Sequence, residues 1–208
     1  ACAGTSATSN GAALAVNASP TISVQPIATQ TACEGTNVTM SVTASGAGAL
    51  TYQWFRGATP VGTNSNVLTL TSVTTANAGN YTVQITGSCA PPITSSISAL
   101  TINTRPAITT QPSSATTCQS VGTSFTVAAS GTATLTYQWE YSTNGGATYA
   151  AVVDDADHDN VTSATLTVNA TPLAFNGRLY RVVVSGAGAC AGTSATSNGA
   201  SLAVNASP

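Results

Sequence analysis

The sequence predicts an all-β protein made of two tandem sandwich domains, preceded by a terminal strand of a previous repeat. Three observations lead to this prediction. Apolar residues alternate along short runs, turn-forming residues separate these runs, and parts of the sequence recur at fixed spacing. The length of 208 residues suits two such domains, which average about 100 residues each.

The longer repeat covers the two ends of the sequence. Residues 1–20 recur at 189–208 with one difference, since Ala13 stands where the second copy has Ser201, and the period is therefore 188 residues. Near-identity at this spacing indicates tandem copies of one larger unit. We therefore expect residues 1–20 to be the C-terminal hairpin, including the last strand, of a preceding repeat.

A weaker repeat divides the 188-residue period into two related domains. The motif PTISVQP at 20–26 resembles PAITTQP at 106–112, and LTYQW occurs at both 50–54 and 135–139. These matches predict one domain at 21–104 and a second at 105–208.

Strand periodicity is clear in both domains. The alternating apolar runs of the first are Val38, Met40 and Val42; Leu50, Tyr52 and Trp54; and Leu68 and Leu70. Those of the second are Phe125 and Val127; Leu135, Tyr137 and Trp139; Leu166 and Val168; and Tyr180, Val182 and Val184. Alternation with period two indicates strands with one buried face, so both tryptophans are expected in the core and not on a sugar-binding surface.

The composition excludes some classes of partner. Only 5% of residues are charged, against roughly 25% in an ordinary soluble protein. The four basic residues are all arginines, so no basic patch is available for nucleic acid. No apolar run approaches the roughly 18 residues that span a bilayer, and a secretion signal is expected to lie outside these residues.

Five cysteines in a β-rich chain indicate an oxidising compartment, and hence a secreted or cell-surface protein. The repeat assigns Cys33 and Cys89 to the first domain and Cys118 and Cys190 to the second, which predicts one disulfide within each domain. Cys2 is the equivalent of Cys190, so its partner is expected in an upstream repeat. A reactive or intermolecular Cys2 is the alternative. Because lysine is absent, disulfides are the only covalent crosslinks available.

Two segments carry a family resemblance. Residues 74–81, TTANAGNY, resemble the corner of immunoglobulin-type domains that ends in a tyrosine, and NGRLY at 176–180 looks like its counterpart. Together with Trp54 and Trp139, this pattern resembles the immunoglobulin-like, I-set-like tandem repeats of large secreted and cell-surface proteins of Bacteroidota.

The resemblance implies that Tyr81 and Tyr180 are core residues whose hydroxyls bond back to the chain at the entrance to strand F. It also implies that the cysteines lie before strand B and in the turn between strands F and G, where they would tie the hairpin end to the sandwich rim. Repeats of this kind extend a protein from the cell, mediate adhesion or build fibres.

The positions of the inter-sheet disulfide of antibody domains look to be Val42 with Val83, and Val127 with Val182. Packing is therefore expected to replace that bridge.

An acidic loop at 154–160 is the richest candidate for chemistry. The alternating carboxylates of Asp155, Asp157 and Asp159 make calcium the candidate metal, and a solvated acidic loop is the alternative. The single histidine, His158, lies in this loop and is expected to be exposed to solvent. No nucleophile motif, phosphate loop or zinc spacing accompanies it, so we expect no catalysis and no other cofactor.

These features predict a structural repeat unit of an extracellular fibre, filament or stalk of a bacterial surface protein. The expected partners are neighbouring copies of the same repeat, in a homopolymeric assembly that forms laterally or end to end, because few charges protect the sheet edges from association. The alternative is an adhesin module that binds surface glycans or proteins through its loops, chiefly through the acidic loop.

Overall fold

The structure is a computed structural model that describes residues 4, 6–14 and 16–207, and it confirms the predicted all-β fold. The strands of the first sandwich are β1 Thr21–Val24, β2 Thr29–Cys33, β3 Val38–Ser41, β4 Thr43–Ser45, β5 Thr51–Arg56, β6 Thr59–Val61, β7 Val67–Leu70, β8 Gly79–Thr86, β9 Ile93–Thr94 and β10 Ser98–Asn103. A 3-10 helix, η1, spans Thr75–Asn77 before β8.

The second sandwich repeats this order of elements with one further strand, at His158–Asp159, and one further 3-10 helix, at Gly188–Cys190. Its strands are β11 Ala107–Thr110, β12 Ala115–Cys118, β13 Thr123–Thr126, β14 Ala128–Ser130, β15 Leu135–Ser142, β16 Ala150–Ala151, β17 His158–Asp159, β18 Thr165–Val168, β19 Leu179–Gly186, β20 Ser194–Thr196 and β21 Ala200–Asn205. Two 3-10 helices flank β19, namely η2 at Leu173–Phe175 and η3 at Gly188–Cys190.

The larger sheets of the two sandwiches have equivalent strand orders. The order is β2-β10-β8-β5-β6 in the first and β12-β21-β19-β15-β16 in the second. In both sheets the first strand of this order runs parallel to its neighbour, which is the last strand of the sandwich. These pairs are β2 with β10 and β12 with β21. The opposite layers are formed by β1-β4 and β3-β7, and by β11-β14 and β13-β18-β17.

The chain divides into two compact units that cut across the first sandwich. The first unit contains 39–69, 80–98 and the chain up to residue 28. The second contains 29–38, 70–79 and the chain from residue 99 onward. One end of the first sandwich is thus grouped with the whole second sandwich. The boundary at residues 104 and 105, which the weaker repeat indicates, stays a prediction.

The two tryptophans occupy equivalent core positions. Both are fully buried. The indole Nε1 of Trp54 donates a hydrogen bond to the backbone oxygen of Ser65 at 2.9 Å, and Nε1 of Trp139 donates to the oxygen of Ser163 at the same distance. Each bond satisfies the one polar group of a buried indole, which would otherwise destabilise the core.

The valines at the positions of the antibody-type bridge are also buried. Val42, Val83, Val127 and Val182 are each at most 2% exposed. Tyr81 and Tyr180 are buried as well, at the start of β8 and β19.

Among the described residues, no helix is long and apolar enough to cross a membrane.

The two copies of the long repeat have different structures. In the second copy the repeat contains η3, β20 and β21, and Leu202 and Val204 are 0% and 4% exposed. In the first copy the described residues up to Pro20 contain no strand, and Leu14 and Val16 are 89% and 83% exposed. Strand β21 pairs with β12 and β19, and the chain supplies those partners only once. The described residues of 1–20 thus form no strand of the predicted hairpin, and their assignment to a preceding repeat stays a prediction.

Candidate functional site

The disulfide joins Cys33 to Cys190, so the predicted pairs Cys33 with Cys89 and Cys118 with Cys190 are wrong. Strand β12 runs parallel to β21 and ends at Cys118, opposite Asn205. Strand β19 runs antiparallel to β21, so the residues after β19 lie near the start of β21. Cys118 and Cys190 therefore lie at opposite ends of the second sandwich and cannot bond. Cys2 lies outside the described residues.

The disulfide stands at a junction where the first sandwich ends and the second begins. Strand β2 ends at Cys33, beside Asn103, the last residue of β10. Helix η3 places the Sγ atom of Cys190 3.5 Å from the backbone oxygen of Asn103 and 3.6 Å from that of Thr104. Cys33 and Cys190 form a buried cluster with Ala133. The cystine is thus shielded from solvent within the second compact unit.

Two threonines reinforce this junction. The amide of Thr104 donates to Oγ1 of Thr132 at 2.6 Å, and the amide of Thr132 donates to Oγ1 of Thr104 at 3.0 Å. This reciprocal pair satisfies two backbone donors with side chains, because the linker has no strand partner there.

Arg105 forms a hydrogen bond on the other side of the junction. Its Nε donates to the backbone oxygen of Glu34 at 2.8 Å. A Cβ atom at Gly35 would lie 2.6 Å from Nη2 of Arg105, and Gly35 has a left-handed φ of 80°. Glycine is favoured here mainly on conformational grounds, because Nη2 is the end of a flexible side chain that can move aside. The sequence motif Asn-x-x-Pro, which recurs at 17–20, 103–106 and 205–208, is the signal that would have marked such junctions.

A second candidate site is a cleft of about 190 Å³ in the second sandwich. Its lining residues are Tyr141, Ala151, Val152, Val153, Asp155, Asp157, His158, Phe175 and Arg178. The guanidinium carbon of Arg178 lies 3.4 Å from the centre of the Phe175 ring and 4.8 Å from that of Tyr141. Nε of Arg178 is buried without a hydrogen-bond partner among the described residues.

His158 is only 4% exposed, so the expectation of a solvent-exposed histidine is wrong. Its ring stacks on Phe175 with the centres 5.4 Å apart. Nδ1 lies 3.1 Å from Oδ1 of Asp155, and Nε2 lies 3.2 Å from the hydroxyl of Tyr180. Burial raises the pKa of Tyr180, while Arg178 opposes that increase. The tyrosine thus joins a buried polar network in the second sandwich.

The acidic side chains mainly stabilise their own loop. Oδ1 of Asp155 accepts hydrogen bonds from the amides of Asp157 at 2.9 Å and His158 at 2.8 Å. Oδ2 of Asp159 accepts from Nδ2 of Asn169 at 2.6 Å. In the part of the chain that the structure describes, no group of three or more histidine, cysteine or acidic side chains is arranged to hold a metal.

Calcium binding by Asp155, Asp157 and Asp159 stays a prediction that thermal melting tests. Because the oxygens of Asp155 and Asp159 already accept hydrogen bonds from the protein, we expect the same melting temperature in calcium and in chelator. A calcium-dependent increase that disappears in Asp157→Asn would instead establish the metal site.

Replacement of Asp155 by alanine is expected to lower the free energy of unfolding by about 1 kcal/mol at neutral pH, a modest value because the side chain is half-exposed. Burial would raise the pKa of Asp155, but hydrogen bonds from Asp157 and His158 and the charge of His158 together lower it. The carboxylate therefore stabilises the fold above its ordinary pKa of 3.8 and ceases to do so as the pH falls through the lower folded-state pKa.

Urea unfolding of the wild type and Asp155→Ala across this pH range measures the effect. The difference in stability should shrink in acid. Asp155→Asn, which keeps an acceptor oxygen, serves as the matched control and should lose less stability. An equal difference at all pH values would contradict a role for the ionised group.

Comparison with known proteins identifies the architecture. Residues 19–86 match the family model described as Immunoglobulin domain. No curated protein matches the chain. Many solved structures do.

An I-band fragment of titin is 17% identical, with a TM-score of 0.68 over 91% of this chain and 66% of that one. Sidekick-1 immunoglobulin domains 1-4 are 20% identical, with a TM-score of 0.63 over 91% and 49%. The N-terminal eight Ig domains of Down Syndrome Cell Adhesion Molecule are 18% identical, with a TM-score of 0.64 over 91% and 25%.

The chain spans less than two thirds of the length of each of these three structures. At this level of identity the likeness concerns the fold. Together with the sheet orders and the matched family model, it establishes that the chain consists of tandem immunoglobulin-like β-sandwiches.

Proposed function

We propose that this chain is a structural repeat unit of an extracellular fibre, filament or stalk of a bacterial surface protein, related to the repeats of Bacteroidota that its sequence resembles. The observation that carries the proposal is the Cys33–Cys190 disulfide, which connects the end of β2 in one sandwich to the η3 turn of the next. A covalent connection outside the linker holds successive sandwiches together when the chain is pulled, which is what a load-bearing fibre requires.

The long repeat supports the same function. Near-identical sequence 188 residues apart is expected where the number of copies determines length. Only 5% of all residues are charged, so few charges protect the strand edges. This composition also favours contact between neighbouring copies.

The proposed location is outside the cell. Disulfides persist in oxidising compartments and are rare in the cytosol. The buried cystine at the junction is suited to such a compartment, and its loss under reducing conditions would remove the covalent bond between β2 and η3.

Electron microscopy of proteins with one, two and four consecutive 188-residue copies tests the proposal. We expect rods whose length increases by a constant amount per copy. Particles whose length does not increase with copy number would contradict the fibre function.

Adhesion is the second candidate, and the cleft beside Arg178 is the observation that favours it. A buried guanidinium nitrogen without a partner among the described residues suits an acceptor group on a ligand, such as a carboxylate or sugar hydroxyl. A glycan array on one unit tests this candidate. Saturable binding that Arg178→Gln abolishes would support it, and the absence of binding would leave the structural function alone.

A further inference from the structure

Two cysteines of the described chain are free, and each corresponds to one partner of the disulfide. Cys89 is partly exposed and Cys118 is exposed. Cys118 ends β12 as Cys33 ends β2, and Cys89 follows β8 as Cys190 follows β19. One free thiol therefore corresponds to Cys33 and the other corresponds to Cys190, but the two free thiols belong to different junctions.

The surroundings of Cys118 match those of Cys33 in detail. Cys33 lies opposite Asn103 in a parallel strand pair, and Cys118 lies opposite Asn205 in the same way. The amide that follows each cysteine donates to the oxygen of that asparagine, at 2.8 Å in both cases. Strand β12 thus places Cys118 next to the segment that follows Asn205 in the array. Strand β2 places Cys33 next to the sandwich that follows Asn103 in the same way.

The turn after each cysteine is also the same. Gly35 and Ser120, two residues beyond Cys33 and Cys118, have left-handed φ angles of 80° and 67°. A non-glycine residue in this region is strained. The serine nonetheless keeps the conformation that orients this end of the strand. The position of Arg105, whose Nη2 would contact a side chain at residue 35, is occupied by the shorter Ser207 at the second junction.

Cys89 lies where the partner of such a cysteine is needed. Its Sγ donates to the backbone oxygen of Asn17 at 3.4 Å, just as Sγ of Cys190 lies 3.5 Å from the oxygen of Asn103. By the 188-residue repeat, Asn17 corresponds to Asn205, the strand partner of Cys118. The Cys118 of a preceding copy would therefore lie beside Asn17, against Cys89.

We propose that Cys118 of each copy forms a disulfide with Cys89 of the copy that follows it in the same polypeptide. Cys2, the repeat equivalent of Cys190, then bonds Cys33 of the preceding copy. Every junction along the array is closed by a bond of one type, and no cysteine in the interior of the array stays free. The inference rests on the proposed function only in taking the copies to follow one another head to tail.

Bond formation requires a two-electron oxidant, and a protein disulfide of the oxidising compartment supplies it by thiol–disulfide exchange. The thiolate of one cysteine attacks the oxidant's disulfide to give a mixed disulfide. The second thiolate then displaces the oxidant's sulfur. The two cysteines lose two protons and two electrons, and the oxidant leaves as a dithiol.

A tandem protein tests the inference, with this chain followed directly by a second copy of its residues 21–208. After oxidative folding, denaturation and alkylation, the intact mass gives the number of free thiols. Cys118→Ser in the first copy should increase that number by one, because it releases Cys89 of the second copy. Cys118→Ser in the second copy, whose thiol has no following partner, should decrease it by one.

A decrease of one in both variants would overturn the inference. Cys33→Ser in either copy should increase the number by one, which confirms that the known bond has formed and that the protein has folded. The proposed function is tested separately by electron microscopy. Rods with unbonded Cys118 would refute only the disulfide, and bonded copies without rods would refute only the fibre.

Discussion

Replacement of Cys33 by serine is expected to lower the free energy of unfolding of the second compact unit by about 2–5 kcal/mol, the usual effect of removing a native disulfide. The bond closes a loop of 157 residues, so its loss restores much conformational entropy to the unfolded chain. It also leaves Cys190, which is fully buried, without its disulfide partner. Urea unfolding followed by circular dichroism gives the measurement.

The matched control is Cys118→Ser, which removes an exposed thiol that makes no bond within this chain. Its effect should stay within about 0.5 kcal/mol, as for other surface substitutions. A reducing agent should destabilise the wild type as much as Cys33→Ser does and leave the variant unchanged. Equal stability of Cys33→Ser and Cys118→Ser would show that the bond does not stabilise the fold.

Replacement of Trp139 by alanine is expected to destabilise the second sandwich by about 3–5 kcal/mol. The side chain is fully buried, contacts the ring of Phe125 at a centre-to-centre distance of 6.5 Å, and donates its hydrogen bond to Ser163. Alanine leaves a cavity in the core and removes the hydrogen-bond donor to the carbonyl of Ser163. Denaturant unfolding, with the fluorescence of Trp54 as a separate signal from the first compact unit, measures the loss.

Leu173→Ala is the control, because 47% of that side chain is exposed. We expect a change of about 0.5 kcal/mol or less. Trp139→Phe should fall between the two, since it fills most of the volume but lacks the donor. A loss of under about 1 kcal/mol in Trp139→Ala would contradict the placement of this residue at the centre of the core.

The acidic loop shows where sequence patterns stop being informative. Alternating aspartates predict either a metal site or a solvated loop, and a histidine among them is expected to face water. In the structure His158 packs on Phe175 and reaches the hydroxyl of Tyr180, residues that follow it by 17 and 22 positions. Residues 154–160 contain no signal for those partners, because the contact depends on how η2 and β19 return across the sheet.

The cysteines also show where sequence patterns stop being informative. The family resemblance indicates two kinds of cysteine, one before strand B and one in the turn between strands F and G. It cannot indicate which end of the sandwich each kind occupies. That depends on strand direction, since β12 is parallel and β19 antiparallel to β21. Pairing within a domain is therefore excluded by topology, although the spacing in the sequence permits it.

The amino-acid sequence by itself determined the strands, the two related sandwiches and their tryptophans, because period-two alternation and recurring motifs are local properties. Only the tertiary structure decided which cysteines meet and whether a repeated segment folds. Leu14 and Leu202 have nearly the same neighbours in sequence, yet one is exposed and the other is buried in β21. A strand is stable only when distant segments supply its hydrogen bonds and apolar contacts, and the chain brings those segments to one copy alone.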